Sequence, residues 1–423
     1  MQSRLNPQSS HSYDLIVIGG GAAGLMACAS AIRAGKRVLL LEKNNKLGVK
    51  ILMSGGTRCN ITQHCDSRGI VQAFGSNGRF LHSPLAALSP SDVVELVEST
   101  GVATKVESTG KVFPVSNRAI DVRDALVKLA TDPDCPGSCK IIVGIACQNI
   151  RKDGAQFSVD TTDSTFSSSD VLITTGGKSY PGCGTTGDGY VWARKFGHSI
   201  HPPVPALTPI TNKNCWSHQL KGLTFEDVAI SVTADDKSRK PLDQRRGGFL
   251  FTHFGYSGPA PLNISRCISL HDRPASTKLI CDFFPDQNQD QLKIQLSELM
   301  RSNAKQSLGN VMAQMFPRRF VDTLLTQYGF DSTQRSGEVS KNSIQSLVSS
   351  LKQMQFPIDS VYGFKKAEVT AGGVSLSELD SKTMQSKLCP GLYFAGEVID
   401  LDGPIGGYNF QSAFSTGWLA GKS

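Results

Sequence analysis

The stretch that decides the fold is residues 13–35, YDLIVIGGGAAGLMACASAIRAG. Its apolar part, residues 15–18, predicts a buried strand, and the small residues after the glycines predict a helix. A second apolar run, residues 38–41, ends in Glu42. A strand, a glycine-rich turn, a helix and an acid at the tip of the next strand are together typical of a dinucleotide site in a Rossmann-type parallel sheet.

Each residue of this turn has a physical task. Gly19 allows the tight exit from the strand, and Gly21 has no Cβ to keep the backbone away from a pyrophosphate. Gly24 allows the helix to pack close to the sheet, and the helix N-terminus points free N–H groups and a positive dipole end at the phosphates. Glu42 can accept hydrogen bonds from both ribose hydroxyls, and its charge disfavours NADP at this site.

Bulk composition indicates a globular protein with two or three domains. The chain has 423 residues, of which 39% are hydrophobic and 19% charged, and such a chain can bury a large core. No apolar run reaches membrane-spanning length, so we expect no membrane partner. The formal net charge of +8 is compatible with RNA or another anionic partner but does not require one.

Cysteine usage and the N-terminus bear on metals and location. The 11 cysteines are scattered, without paired CxxC motifs or a histidine cluster at ligand spacing, so we expect no metal. Reduced thiols favour a cytoplasmic location. The first twelve residues lack the hydrophobic core of a secretory signal. They contain serine and no acid, so a plastid or mitochondrial transit-peptide remnant is the alternative.

The order of patterns along the chain predicts a discontinuous domain. Strand and helix patterns alternate to about His201, where the proline-rich run HPPVPALTPI indicates a domain crossing. Short strand patterns follow to about Pro285, and helical periodicity then dominates to Lys352. The section after Ala367 cannot form a domain alone and must rejoin the first sheet. We predict an α/β fold with a Rossmann-type domain (13–203 and 364–423), an inserted β-domain (204–288, returning at about 353–363) and a helical subdomain (289–352).

The C-terminal section carries two further ligand features. The run GLYFAGE, residues 391–397, predicts a strand whose end places Glu397 in the ligand crevice, where its carboxylate can accept hydrogen bonds from polyol hydroxyls. The loop 406–411 leads into a predicted helix over 412–420. The N-terminus of that helix offers N–H donors and a positive potential, which would favour a flavin ring that is negatively charged when reduced.

Six longer blocks make the chain similar to one known family. They are GVKILMSGGTRCNIT (48–62), GKVFPVSNRAIDV (110–122), TTGGKSYPGCGTTGDGY (174–190), FTHFGYSGPAPL (251–262), AEVTAGGVSLSELD (367–380) and GEVIDLDGPIGGYNFQSA (396–413). With the Rossmann start, they resemble the aminoacetone oxidase family of FAD-binding enzymes, within the two-dinucleotide-binding flavoproteins. That family includes flavoproteins linked to bile-acid double-bond reduction and to dihydrouridine synthesis in ribosomal RNA. The resemblance covers nearly the whole chain and implies FAD, a Rossmann-type domain and an inserted β-barrel with a helical subdomain.

The resemblance also implies which residues hold the cofactor. The first glycine turn would bind the pyrophosphate and Glu42 the adenosine ribose, while the 50–60 loop and the C-terminal glycine loop would enclose the flavin ring and ribityl chain. The implied cofactor-binding residues are Gly19, Gly21, Ala22, Ala23, Gly24, Glu42, Lys43, Gly48, Lys50, Ser54, Gly55, Gly56, Arg58, Cys59, Asn60, Thr175, Gly176, Gly177, Asp188, Gly189, Gly396, Glu397, Gly406, Gly407, Asn409, Phe410 and Gln411. One departure is Thr57, where the family motif commonly has a third glycine and a side chain would narrow the flavin pocket.

Five residues are candidates for catalysis. Cys59 would act near the flavin as a proton donor or charge-transfer partner, and a small packed cysteine is the alternative. Arg58 would stabilise an anionic reduced flavin or bind an acidic substrate, and a structural ion pair is the alternative. His253 or Tyr256, in the inserted part, would donate a proton to the carbon opposite the flavin. Tyr408 could do so from the other side, and each of these three residues also fits a structural role.

No second dinucleotide fingerprint appears in the sequence. NAD(P)H would therefore reduce the flavin only as a transient visitor to the substrate side. The leading hypothesis is a FAD-dependent oxidoreductase that reduces an activated C=C bond, either of a small enone or of a uridine in ribosomal RNA. An amine oxidase that passes electrons to O2 is the first alternative, and a non-catalytic FAD-bearing binding protein is the second.

Overall fold

The computed structural model describes residues 12–213, 216–234 and 240–423. Their strands are β1 (Ser12–Ile18), β2 (Arg37–Glu42), β3 (Thr62–Gln63), β4 (Thr104–Val106), β5 (Lys111–Pro114), β6 (Ser138–Val143), β7 (Cys147–Asp153), β8 (Gln156–Thr161), β9 (Thr165–Ile173), β10 (Ile200–Ala206), β11 (Ile210–Thr211), β12 (Thr224–Thr233), β13 (Asp243–Phe251), β14 (Gly255–Ser257), β15 (Lys278–Asp282), β16 (Met354–Pro357), β17 (Ser360–Val361), β18 (Val369–Val374) and β19 (Leu392–Phe394). Their α-helices are α1 (Ala22–Arg33), α2 (Val49–Met53), α3 (Ser67–Ala73), α4 (His82–Ala87), α5 (Pro90–Ser99), α6 (Ala119–Ala130), α7 (Asp188–Lys195), α8 (Pro259–Ser269), α9 (Gln289–Ser302), α10 (Leu308–Met312), α11 (Arg318–Gln327), α12 (Lys341–Lys352) and α13 (Tyr408–Lys422).

The chain divides into two compact units. The Rossmann unit comprises the residues up to Val204 together with Val369–Ser423, and the inserted unit comprises Pro205–Glu368. Each unit has its own buried apolar core. Among the described residues, no helix has the length and apolar character that a membrane span requires.

A seven-stranded sheet organises the Rossmann unit, in the order β6-β2-β1-β9-β8-β7, with β19 also paired to β9. The pairs β6-β2, β2-β1, β1-β9 and β9-β19 are parallel, whereas β9-β8 and β8-β7 are antiparallel. The central strands bury consecutive apolar residues, as parallel strands covered on both faces do. This topology confirms the predicted α/β class with a Rossmann-type parallel sheet.

Parallel pairing brings four carboxyl ends to one edge of this sheet. Ile18 pairs in register with Leu41 and with Ile173, and Ile173 also pairs with Phe394. The chain therefore leaves β1, β2, β9 and β19 at the same level. In open parallel sheets this edge is where ligands bind, and the predicted ligand residues follow each of these strands.

The first and last helices of the Rossmann unit touch along their backbones. An ideal Cβ at Gly417 of α13 would lie 2.2 Å from the carbonyl oxygen of Ala23, and one at Gly421 would lie 2.1 Å from that of Ala27. Both pairs are four residues apart and run in the same direction, so α1 and α13 are parallel. A side chain at either glycine would force the helices apart, because packed interiors leave no spare volume.

A buried histidine supports the segment before β19. The Nδ1 atom of His198 lies 3.0 Å from a carboxylate oxygen of Glu378, and its Nε2 atom lies 2.7 Å from the Ser386 hydroxyl. Its ring packs edge-on against Phe394 of β19, with centroids 4.9 Å apart. Burial lowers the pKa of His198 more than the Glu378 carboxylate raises it. Burial therefore favours the neutral imidazole.

The inserted unit is built on an antiparallel sheet that closes on itself. Its order is β16-β15-β12-β13-β14-β11-β17, so β16 and β17 stand at opposite ends. A flat sheet of seven strands would separate its edge strands by roughly 29 Å. The chain from Pro357 to Ser360 can span only about 11 Å. The sheet must therefore curl into a barrel, as the predicted fold class requires.

Aromatic and aliphatic side chains fill this barrel and its helical cover. Phe249 and Phe251 of β13 are fully buried. Helix α9 buries Leu292 and Leu296, whose four-residue spacing places both on one helix face. Helices α9 to α12 lie between β15 and β16 in the chain. They belong to the same apolar core as the barrel strands.

Candidate cofactor and active site

The glycine turn forms an open cradle in front of α1. An ideal Cβ at Gly24 would lie 2.0 Å from the carbonyl oxygen of Gly19, so only glycine permits this contact between helix and strand end. At Gly21, which precedes α1, a Cβ would meet nothing within 4 Å. No side chain caps the helix. The N–H groups of its first turn, including those of Ala22 and Ala23, therefore face a space that a pyrophosphate can fill.

Glu42 ends β2 and is tied to the same cradle. Its carboxylate accepts hydrogen bonds from the backbone N–H groups of Gly20 and Asn44, each at 2.7 Å. The residue is only 7% exposed, and the two bonds orient both carboxylate oxygens. Each oxygen keeps a further acceptor position, which the binding of two ribose hydroxyls requires.

Lys43 and Asp188 join the loop after β2 to the start of α7. The Lys43 Nζ atom lies 2.5 Å from a carboxylate oxygen of Asp188 and 2.7 Å from the Thr186 hydroxyl. The Asn44 amide donates to the carbonyl of Cys183 at 3.0 Å. These bonds hold two loops together at the ligand edge of the sheet.

A second network holds Glu397, three residues after the end of β19. One carboxylate oxygen accepts from the Lys50 Nζ atom at 2.5 Å, and the other accepts from the Ser179 hydroxyl at 2.5 Å. The backbone N–H of Thr370 donates to the second oxygen at 2.9 Å. Lys50 also donates to Ser179 at 2.6 Å. Three distant chain segments converge on the Glu397 carboxylate, and Lys50 offsets the cost of partly burying its charge.

Further predicted glycines lie where segments meet at this edge. A Cβ at Gly177 would lie 2.3 Å from the Thr370 hydroxyl, and one at Gly189 would lie 2.4 Å from the Thr175 hydroxyl. Such distances admit no side chain between rigid segments. The other predicted glycines here have positive φ, and they are Gly48, Gly176, Gly396, Gly406 and Gly407.

Three buried polar atoms of the described Rossmann unit have no hydrogen-bond partner. They are Asn60 Oδ1, Thr175 Oγ1 and the Tyr190 hydroxyl. Each unpaired buried polar atom costs free energy, so such atoms commonly mark the place of a missing polar partner. Asn60 and Thr175 are both predicted cofactor residues. Together with the open cradle at Gly21 and the acceptor positions of Glu42, they make the Rossmann unit fit FAD.

The loop Ser54–Thr57 forms a tight turn with a left-handed backbone. Gly55, Gly56 and Thr57 are all exposed, and their φ angles are 55°, 65° and 69°. Glycine adopts such angles freely, but a β-branched residue does so only with strain. The Thr57 hydroxyl donates to the Gly56 carbonyl at 2.6 Å. Thr57, the departure from the family motif, therefore introduces backbone strain in an exposed loop.

Arg58 is held by its own neighbours. Its guanidinium pairs with Glu107, donates to Asn117 at 3.2 Å and lies 4.0 Å from the ring centroid of Phe113. A planar guanidinium commonly combines an ion pair with a stacked ring. Of the alternatives open in the sequence, this geometry favours the structural ion pair.

Cys59 is fully buried. Burial raises the pKa of its thiol to about 12, although a hydrogen bond with Ser54 lowers it slightly. The residue is therefore a neutral thiol near pH 7, whereas a charge-transfer partner or nucleophile must be a thiolate. The geometry favours the packed cysteine.

The final helix starts earlier than the sequence indicates. It begins at Tyr408, so the predicted start at 412 was wrong. The cause is tertiary: Gln411 is fully buried, accepts from the Thr62 hydroxyl at 2.6 Å and donates to the Leu88 carbonyl at 3.2 Å. Long-range bonds of this kind stabilise a first turn that local propensity disfavours.

Two other predicted residues on this turn also have protein partners. Asn409 accepts from the backbone N–H of Gly403 at 2.8 Å and donates to its carbonyl at 2.9 Å. The ring of Phe410 stacks on Phe414, with centroids 5.7 Å apart. These side chains hold the preceding loop and the helix in place. The first turn of α13 has no side-chain cap, so its N–H groups are what it offers to a ligand.

His253 and Tyr256 belong to the inserted unit and have different surroundings. Tyr256 is fully buried in the barrel, and its hydroxyl accepts from the Asn212 amide at 2.7 Å. That placement is structural, and we do not retain Tyr256 as a proton donor. His253 is exposed and packs against Phe254, with ring centroids 4.8 Å apart. Among the described residues, no group of three or more His, Cys, Asp or Glu side chains could hold a metal ion.

Two residues of the site were not predicted from the sequence. Ser179 and Thr370 bond directly to Glu397. Both lie inside the blocks that the family shares, at 174–190 and 367–380. Small hydroxyl residues next to glycines are common in loops and buried strands, so no pattern of spacing marks these two.

Comparison with known proteins shows the following similarities. The sequence profile described as "HI0933-like protein Rossmann domain" matches residues 13–423. A ribosomal RNA dihydrouridine synthase from Escherichia coli is 34% identical over 410 residues, which are 97% of each chain. A 3-dehydro-bile acid delta(4,6)-reductase from Clostridium scindens is 28% identical over 412 residues, which are 96% of this chain and 98% of the relative. A solved 3-ketosteroid-delta4-(5alpha)-dehydrogenase from Rhodococcus jostii aligns at 14% identity with a TM-score of 0.48 and covers 98% of both chains.

Proposed function

Because the chain belongs to the HI0933-like Rossmann family and is a FAD-dependent oxidoreductase, we propose that it reduces an activated C=C bond in a uridine of ribosomal RNA. Bound FAD supplies the hydride chemistry. One observation carries the proposal: a single ligand edge lies at the ends of β1, β2, β9 and β19, and the sequence has no second dinucleotide fingerprint. NAD(P)H and substrate therefore meet the same flavin in turn.

The residues of the Rossmann unit have separate tasks in this proposal. The N-terminus of α1, opened by Gly21, binds the pyrophosphate. Glu42 accepts hydrogen bonds from the adenosine ribose, and Glu397 accepts them from the ribityl hydroxyls. Lys50 keeps the Glu397 carboxylate oriented through its hydrogen bond at 2.5 Å. His253 is the exposed group that we keep as a candidate proton donor to the substrate.

Two observations support RNA as the substrate. A relative that is 34% identical is named a ribosomal RNA dihydrouridine synthase. The inserted unit carries 20 lysines and arginines against 15 aspartates and glutamates, which suits a polyanion. A small enone is the second candidate, since a relative named a bile-acid delta(4,6)-reductase is 28% identical.

Anaerobic flavin titration tests the proposal. The FAD-loaded protein is mixed with NADPH or NADH, and loss of the yellow flavin band reports reduction. The reduced protein then receives a uridine-containing ribosomal RNA fragment, a cyclic enone or dissolved O2. We expect NAD(P)H to bleach the flavin and the RNA fragment to restore its colour with formation of dihydrouridine. Steady-state kinetics should be ping-pong, because donor and acceptor share one site in turn.

The other outcomes separate the alternatives. Bleaching by small amines together with peroxide formation would support an amine oxidase instead. Restoration by the enone but by no RNA would keep the reductase and reject the RNA substrate. A flavin that turns over with none of these donors, in a protein that binds RNA tightly, would indicate a FAD-bearing binding protein.

A further inference from the structure

The described part of the inserted unit contains three pairs of adjacent cations, and the first pair, Arg245 and Arg246, is neutralised by acids. Arg246 lies 2.6 Å from Asp227 and 2.7 Å from Asp286. Arg245 lies 2.9 Å from Asp243. Charges that are already paired gain little from a further anion, because the pairing must first be broken.

The second pair is also engaged within the protein. Arg318 lies 2.8 Å from Asp322 and donates to Asn310 at 2.7 Å. Arg319 donates to the backbone carbonyl of Lys221 at 2.8 Å. Both guanidinium groups thus help to hold the loops around α11.

The third pair, Lys365 and Lys366, differs from the other two. Both residues are exposed, and neither ammonium group has a hydrogen-bond or ion-pair partner in the part of the chain that the structure describes. The turn that carries them is itself ordered, because the backbone N–H of Lys366 donates to the Gly363 carbonyl at 3.2 Å. Two exposed and unpaired lysines are therefore adjacent in the chain on an ordered turn.

Next to this turn in the chain lies an exposed ladder of rings. The rings of His253 and Phe254 are 4.8 Å apart, and those of Phe254 and Tyr362 are 5.2 Å apart, in edge-to-face contact. Tyr362 is 40% exposed, so part of its ring is accessible to a ligand. Its backbone N–H donates to the Pro209 carbonyl at 2.8 Å. The backbone of Tyr362 is thus held in place, while part of its ring remains exposed to solvent.

We propose that His253, Phe254, Tyr362, Lys365 and Lys366, the aromatic–lysine surface, docks single-stranded RNA. A base stacks on the open face of the ring ladder, and the adjacent phosphates contact the two ammonium groups. Stacking on aromatic rings combined with a basic track is how proteins bind single-stranded nucleic acid without reading its sequence. This surface rests on the proposed function, since it gives the uridine-bearing strand a place of attachment on the inserted unit.

The chemistry of the surface favours a nucleic acid strand over other anions. A base presents a flat π face to a ring, and its backbone carries a charge at every step. Anionic membranes need a larger apolar area for insertion than one exposed tyrosine supplies. An acidic peptide would satisfy the lysines but leave Tyr362 without a stacking partner.

Fluorescence anisotropy on the full-length FAD-loaded protein tests the surface, with a labelled single-stranded oligouridylate as the probe. Tyr362→Ala should weaken binding by about five- to 150-fold, which is the effect of losing one stacked base. The Lys365→Gln/Lys366→Gln double variant should reduce the slope of log K against log salt by about 1.4, because each phosphate contact on a single strand contributes about 0.7. The matched control is Lys305→Gln/Lys341→Gln, which removes the same charge from two exposed lysines of the inserted unit and should leave binding nearly unchanged.

Three results would overturn the surface. The first is a wild-type protein that does not bind oligouridylate, and the second is a Tyr362→Ala variant that binds it as tightly as the wild type. The third is a control variant that loses as much affinity as Lys365→Gln/Lys366→Gln. Preferential binding to phosphatidylserine vesicles or to a polyglutamate peptide, lost in the same variants, would also reject RNA. Reoxidation of the reduced flavin by a cyclic enone is measured on every variant. Normal enone turnover without RNA binding would reject the docking surface but not the reductase activity. Intact RNA binding without enone turnover would reject the reductase activity but not the docking surface.

Discussion

Replacing Gly21 with alanine separates the tasks of folding and cofactor binding. A Cβ at this position would meet no atom within 4 Å, and its backbone has φ −84°, which alanine adopts without strain. The apoprotein should therefore keep its stability or gain about 0.4–1 kcal/mol from the stiffer unfolded chain. The added methyl group points into the open cradle, however, and holds a pyrophosphate away from the helix N–H groups.

The expected loss of FAD affinity follows from the bonds that the methyl group disrupts. A hydrogen bond to a charged group contributes about 1.5–3 kcal/mol. Losing one such bond at the N-terminus of α1 should raise the dissociation constant of FAD by about ten- to 150-fold. Quenching of flavin fluorescence on titration of FAD into apoprotein measures this constant, and urea denaturation of the same apoprotein measures its stability.

Gly24→Ala is the matched control, three residues along the same turn. Its Cβ would lie 2.0 Å from the Gly19 carbonyl oxygen and 2.8 Å from the Thr174 hydroxyl. Such overpacking should destabilise the apoprotein by about 1–3 kcal/mol or more. Wild-type FAD affinity in Gly21→Ala would contradict the role of Gly21 in pyrophosphate binding. Equal losses of apoprotein stability in the two variants would contradict it as well.

Three further predictions concern single residues. Thr57→Gly should raise the free energy of unfolding by about 1 kcal/mol, because it removes the positive-φ strain of a β-branched residue; a lower urea midpoint would contradict this. The pKa of His198 is lowered from 6.5 in the folded state, so the unfolded chain binds more protons and stability falls as the pH drops below about 6.5. Urea denaturation at pH 7.5 and 5.5 should show this loss and should show less of it in His198→Gln; an equal loss in both proteins would exclude His198 as its source. Cys59 has a thiol pKa of about 12 and should escape iodoacetamide at pH 8 in the native protein but react after denaturation, as mass spectrometry of the peptides can show; rapid native alkylation would contradict its burial.

The ligand edge was predictable because its strands are continuous apolar runs with abrupt stops. Residues 15–18, 38–41 and 392–394 each end at a glycine-containing turn or an acid, and such stops coincide with the carboxyl ends of parallel strands. The strand at 392–394 was assigned from three residues alone, and β19 has the same bounds. The sequence pattern of a segment was sufficient where the residues of that segment alone determine its conformation.

Side-chain partners were not predictable, because they are chosen by distant parts of the chain. Arg58 pairs with Glu107, 49 residues away, and Gln411 bonds to the Leu88 carbonyl, 323 residues away. Neither partner leaves a trace in the motif that carries Arg58 or Gln411. The same holds for Tyr256, whose place in the barrel depends on closure of the whole sheet. A shared motif can identify a loop, but only the fold decides which of its side chains are free.

The backbone contact between α1 and α13 also sets an order of events during synthesis. Helix α1 leaves the ribosome before the inserted unit, but its partners Gly417 and Gly421 are translated only after that unit. Until then one face of α1 is uncovered in the nascent chain, and β19 and the Glu397 that follows it have not yet been made. A growing polypeptide can shape the adenosine half of the crevice but not close it. We therefore expect tight flavin binding only after α13 has been synthesised.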